Sequence, residues 1–137
     1  MFDEVEAQQN NILALIRQIE PQFEHGAMPE SLMIGGLRRG FSVQLKHHIA
    51  HMQMSVFPVV RSRGNAGERA VVDRMTASRT QLADAYARHI DRFKTDADTI
   101  VTPEYRASVT LLLRITRRLI DHERRDLYPI LKAMPQR

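Results

Sequence analysis

Apolar residues recur along most of this chain at alternating steps of three and four, the spacing of helices that bury one face. Val5, Gln9, Ile12, Ile16 and Ile19 form the first such stripe, which stops ahead of Pro21. Residues 21–29 read as a connector bracketed by prolines, and Pro29-Glu30-Ser31 as a helix start, because an early proline needs no backbone donor. The second stripe is Phe41, Leu45, His48, Met52 and Val59, in a helix running to about Pro58–Arg61. Gly35, Gly36 and Gly40 weaken its beginning by roughly 1 kcal/mol each against alanine, so an irregular start is expected. Ser62 to Gly67 is turn-forming. Val71, Met75, Ser78, Leu82, Tyr86 (or Ala85), His89 and Phe93 then predict a third helix over about 68–95. After a loop at 96–102, Pro103-Glu104 opens a fourth helix through Leu131, with Val109, Leu112, Thr116, Leu119, Glu123 and Ile130 on its stripe. Nothing suggests a strand. Four helices of this length on short connections predict an all-α fold, an antiparallel up-down-up-down four-helix bundle formed by residues 1–137 as one domain.

Two stretches of the chain are copies of one another. Residues 48–60 read HIAHMQMSVFPVV and residues 119–131 read LIDHERRDLYPIL, at a constant offset of 71. Ile49 matches Ile120, His51 matches His122, Phe57 matches Tyr128 and Pro58 matches Pro129. The repeat suggests two helical hairpins related by duplication, since neither could bury its apolar face alone. Each proline removes a backbone donor and crowds the preceding turn, so both helices are expected to kink or stop at matching places. The differences matter as much. Where one copy has His48 and Met52, the other has Leu119 and Glu123.

Composition narrows the chemistry. The chain has no cysteine, which excludes disulfides, thiolate metal sites and thiol catalysis, and fits a cytoplasmic protein. Its start, MFDEVEAQQNN, lacks the features of a signal peptide, and no apolar run is long enough for a membrane span. No phosphate loop or nucleophile–base arrangement is present, so an enzyme is not expected. The net charge of +4 arises wholly in residues 103–137, where eight Lys/Arg face four Asp/Glu. Arg114, Arg117, Arg118, Arg124 and Arg125 are its candidate partner surface, because guanidinium groups suit carboxylate or phosphate partners. Asp121, Glu123 and Asp126 interrupt that field and no aromatics interleave it, which argues against nucleic acid and for a protein partner. Leu32, Met33, Ile34 and Leu37 are a candidate apolar patch for homodimerisation, or a cap on one bundle end.

The four-helix pattern, the duplication and the paired endings Phe57-Pro58 and Tyr128-Pro129 resemble the hemerythrin-like (HHE cation-binding) family, over essentially the whole chain. The resemblance implies a bundle whose core holds a non-haem di-iron centre, ligated by histidines and bridging carboxylates, in proteins that bind or respond to dioxygen, nitric oxide or iron. A histidine and a glutamate at i and i+4 converge from one helix face, and imidazole and carboxylate both suit iron. On helix 2 that motif is His48 with Met52 in place of glutamate; on helix 4 it is Glu123 with Leu119 in place of histidine. On helix 1 Gln9 stands where the family places a histidine, and on helix 3 the position falls at Ser78 or Arg79.

A thioether and a leucine cannot replace a bridging carboxylate and an imidazole. The expectation is therefore a degenerate member that has lost di-iron binding, holds no cofactor, and serves as a regulatory or protein-interaction module. Its vacated cavity, lined by Gln9, Met52 and Leu119 with His48 and Glu123, would either hold a small ligand or be packed shut, the last two residues forming either a hydrogen-bonded core pair or a remnant metal site completed by Gln9 and water. The alternative function is an iron, zinc or gas-responsive sensor with His48, His51, His122 and Glu123 as ligands. His89, about three turns from that level, reads as a core or boundary histidine, and His25 in the connector carries no signal.

Overall fold

A computed structural model describes residues 1–24, 31–93 and 103–135. All regular structure among these is helical: α1 (Phe2–Ile19), α2 (Pro21–Glu24), α3 (Ser31–His51), α4 (Phe57–Arg63), α5 (Ala66–Phe93), α6 (Pro103–His122) and α7 (Tyr128–Ala133). Single π-helical turns, Met52–Val56 and Glu123–Leu127, join α3 to α4 and α6 to α7, so the described residues form four long helical stretches plus α2. The first stripe is buried as expected, from Val5 through Gln9 to Ile19. Beyond it, α2 turns Phe23 into the core. α3 is helical from Ser31 despite its glycines. His25, the loop at 96–102 and the side chains of Leu32, Met33 and Ile34 lie outside the described residues; Leu37 packs half-buried on the core.

Neighbouring stretches touch in opposite order. Gln8 of α1 meets His48 of α3, while Leu15 lies against Gly40. From the second stretch to α5 the contacts run Ser42–Tyr86, Gln53–Arg79 and Arg61–Asp73. Between α5 and α6 the Phe93 and Tyr105 rings meet edge to face at 5.2 Å. Gln9 of α1 and Glu20 at its end reach Glu123 and Arg117 of the fourth stretch. The turn before α5 is set by a reciprocal cap: Asn65 Oδ1 accepts from the Glu68 N–H and Glu68 Oε1 accepts from the Asn65 N–H, each at 2.9 Å. That cap starts α5 at Ala66, two residues ahead of the sequence expectation. At Gly64 a Cβ would lie 2.5 Å from the Val60 carbonyl oxygen, so only glycine fits.

The helices do not stop at Pro58 and Pro129. Instead the chain widens by one residue just before each proline, with the Phe57 N–H bonded to the Met52 carbonyl and the Tyr128 N–H to the Glu123 carbonyl. The widening relieves the clash between each proline ring and the carbonyl four residues back. It also moves the buried face forward by one position. Val60 is fully enclosed where the regular spacing pointed to Val59, and Leu131 is buried more deeply than Ile130. On α5 the buried face takes in Val72 rather than Val71, and Ala85, the alternative to Tyr86, is the buried one of that pair.

The apolar core has two parts. One gathers Val5, Met52, Val56, Val60, Met75 and Leu127; the other gathers Ile12, Ile16, Leu45, Leu82, Val109 and Leu119. Each such side chain contributes roughly 1.5–3 kcal/mol through burial. Between them lies a polar layer, since Gln8 and Gln9 separate Val5 from Ile12, His48 separates Leu45 from Met52, and Glu123 separates Leu119 from Leu127.

Candidate functional site

Three elements supply the centre of the polar layer through residues on their buried stripes. His48 is on the last turn of α3, Glu123 opens the second π turn, and Gln8 and Gln9 lie mid-way along α1. Glu123 Oε1 accepts from Gln9 Nε2 at 2.8 Å and lies 2.8 Å from His48 Nε2. The other His48 nitrogen, Nδ1, donates to Gln8 Oε1 at 2.7 Å. Both ring nitrogens of His48 are thus engaged, one by the Gln8 amide and the other by the Glu123 carboxylate. His48 and Glu123 are 1% and 2% exposed and Gln9 is fully enclosed. At that depth an unbonded polar atom would cost several kcal/mol.

The Gln9 amide is held from both sides. Its Oε1 accepts from Arg124 Nε at 2.9 Å and from the Tyr128 hydroxyl, which leaves its NH₂ to face Glu123. Burial pushes the Tyr128 phenol above its ordinary pKa, with nearby Arg124 opposing, so the hydroxyl stays a donor. Toward the surface, Gln8 meets His51 Nδ1 and His51 Nε2 meets Glu4 Oε2 at 3.2 Å. Burial holds the His51 imidazole below its usual range while the Glu4 carboxylate pulls the other way.

The donor set does not suit the iron pair that the resemblance implies. One imidazole and one carboxylate stand at the ligand positions, and they are bonded to each other. Met52 and Leu119 lie beside them, and the space between His48, Met52, Leu119 and Glu123 is too small for a water molecule. Of the two outcomes open to the sequence, the space is packed shut, with Met52 and Leu119 among the side chains that close it. Among the described residues no three histidine or acidic side chains gather where a metal ion could bind, so His48, His51, His122 and Glu123 do not form one ligand set. His122 is half-buried near Asp126.

The arginines of the fourth stretch divide in the same way. Arg124 faces inward to Gln9 and Asn10, Arg117 pairs with Glu20 at 3.0 Å, and Arg125 pairs with Asp126 at 3.0 Å. Arg114 and Arg118 are the exposed remainder of the expected partner surface. Sequence reasoning missed Gln8, Arg124 and Tyr128 as members of the polar layer. For Tyr128 a signal existed, since it replaces Phe57 in the repeat with one added hydroxyl. Among the described residues no helix is long and apolar enough to cross a membrane. No protein-family model, curated protein or solved structure matches the chain.

Proposed function

We propose that this chain is a degenerate hemerythrin-like domain, an antiparallel up-down-up-down four-helix bundle that has exchanged a di-iron centre for a hydrogen-bonded core. It acts in the cytoplasm as a non-catalytic regulatory or protein-interaction module. The observation that carries the reading is the direct contact of His48 with Glu123, at the level where the resemblance places metal ligands. The equivalent π turns at a 71-residue offset support the duplication on which the resemblance rests. The exposed guanidinium groups of Arg114 and Arg118, one helical turn apart on α6, are the proposed contact for an acidic partner.

Elemental analysis of protein purified without chelator tests the reading. Iron, zinc, manganese and copper together should stay below about a tenth of an equivalent, and added Fe(II) or Zn(II) should leave the melting temperature unchanged. A ligand that binds the folded state adds about 2.7 kcal/mol at a hundredfold excess over its dissociation constant, so a real site would be seen. Near-stoichiometric metal that disappears in His48→Ala would replace the proposal with a metal sensor.

A further inference from the structure

A cleft of about 330 Å³ opens between α1, α3, α5 and α6, in the core half away from Val5 and Leu127. Ile19 on its wall is ten residues from Gln9, about 15 Å along α1 at about 1.5 Å per residue, so the cleft is separate from the polar layer. Its walls are apolar, with Phe23, Phe41, Phe93, Val109 and Leu113 prominent. Small-molecule sites have this character, an apolar space of roughly 300–1,000 Å³ with a few convergent polar groups.

The polar groups here are of one kind. Ser42 and Tyr86 bond to each other, and His89 Nδ1 is engaged by Ser108 Oγ at 2.6 Å. His89 is held to a pKa of about 4 by burial and then by Arg38, so it is neutral at pH 7. The charged lining groups are Arg38 and Arg39, and no carboxylate is among the described residues that line the cleft. Arg38 is half-buried, with Nη1 donating to the Tyr105 hydroxyl at 2.7 Å and its guanidinium 5.7 Å from the Tyr105 ring centre. An aromatic ring and a hydroxyl thus position this guanidinium at the cleft, and among the described residues no carboxylate is paired with it. Its remaining N–H groups match a carboxylate in geometry and charge.

We propose that this cleft binds an amphipathic monocarboxylate, an acyl or aryl acid whose apolar body lies among the phenylalanines and whose carboxylate is held by Arg38. Arg39, exposed at the same site, adds to the field that favours an anion.

Titration of the full chain with decanoate below its micellar concentration, followed by ¹H–¹⁵N chemical shifts, tests this directly. Saturable one-to-one binding is expected, with the largest shifts at Arg38, Phe41, His89 and Leu113. Decanol should bind about tenfold more weakly or worse, for want of the charge-assisted hydrogen bonds. In Arg38→Met the decanoate affinity should fall to that of decanol, while decanol is unaffected; Val109→Trp should fill the cleft and abolish both. Equal affinities for decanoate and decanol, shifts centred elsewhere, no saturation, or an Arg38→Met protein that still prefers decanoate would each overturn the proposal. The mapping on unaltered protein decides the matter even if a variant fails to fold. Metal found at His48 would sink the reading of the polar layer without touching this one.

Discussion

Glu123 is a carboxylate enclosed by protein that takes two hydrogen bonds on one oxygen, from residues 75 and 114 positions away. Removing one member of such a buried pair strands the other, at a cost of about 3–5 kcal/mol. His48→Leu and Glu123→Leu should each lose roughly that much, and the double variant clearly less than the sum, as urea unfolding of the four proteins would measure. Purely additive losses would mean that the bond is absent in solution. His89 makes a different prediction. Its pKa falls from the usual 6.5 to about 4 in the folded chain, so between those values the unfolded chain takes up a proton that the folded chain refuses. Stability should be complete above about pH 6.5 and fall by on the order of 2–3 kcal/mol as the pH drops to about 4. His89→Gln should flatten that part of the profile, and an unchanged slope would assign the acid sensitivity elsewhere. At this scale His48 and Glu123 could be read from the sequence because each interrupts an apolar stripe. The inward turn of Arg124 could not, since an arginine at a stripe's edge faces solvent or core according to where the neighbouring helix lies.

Among elements, the π turns explain which part of the helical pattern was legible. Met52, Val56, Phe57 and Val60 are buried at i, i+4, i+5 and i+8, and Glu123, Leu127, Tyr128 and Leu131 repeat that spacing. Each set is the ordinary i, i+3, i+4, i+7 face with one residue inserted. Steps of three and four therefore carried the sequence reading through the first stripe and to Ile130, which is buried, but onto Val59, one place short of the enclosed Val60. Deleting Met54, which is 77% exposed, should return the second stretch to regular α-helix with the same buried face. The deletion would also place Pro58 inside that helix, at a cost of about 3 kcal/mol. Combining it with Pro58→Ala should recover most of the loss in denaturant titrations. If the deletion alone were neutral, the proline would not be the reason for the wide turn.

For the whole molecule, the four long helical stretches and most of their apolar positions were legible because burial at helical spacing dominates both, while the short α2 within the expected connector was not. Closure of the ligand-level space was not, because it depends on how Met52 and Leu119 fill a volume shared between helices, a property of no single segment. Charge was legible in amount and not in effect, since Glu20 and Asp126 engage two of the five arginines and Gln9 and Asn10 a third. The repeat itself carries a hazard. Two halves with like faces, Ile49 with Ile120 and Val60 with Leu131, could each pair with a copy of themselves on apolar contact alone. At the polar layer two first halves would set His48 against a second His48, and two second halves Glu123 against a second Glu123. Such unpaired burial is costly, and specificity often rests on making the wrong partner costly. His48 on one side and Glu123 on the other, each buried at the same level, would thus favour pairing of unlike halves over pairing of like ones.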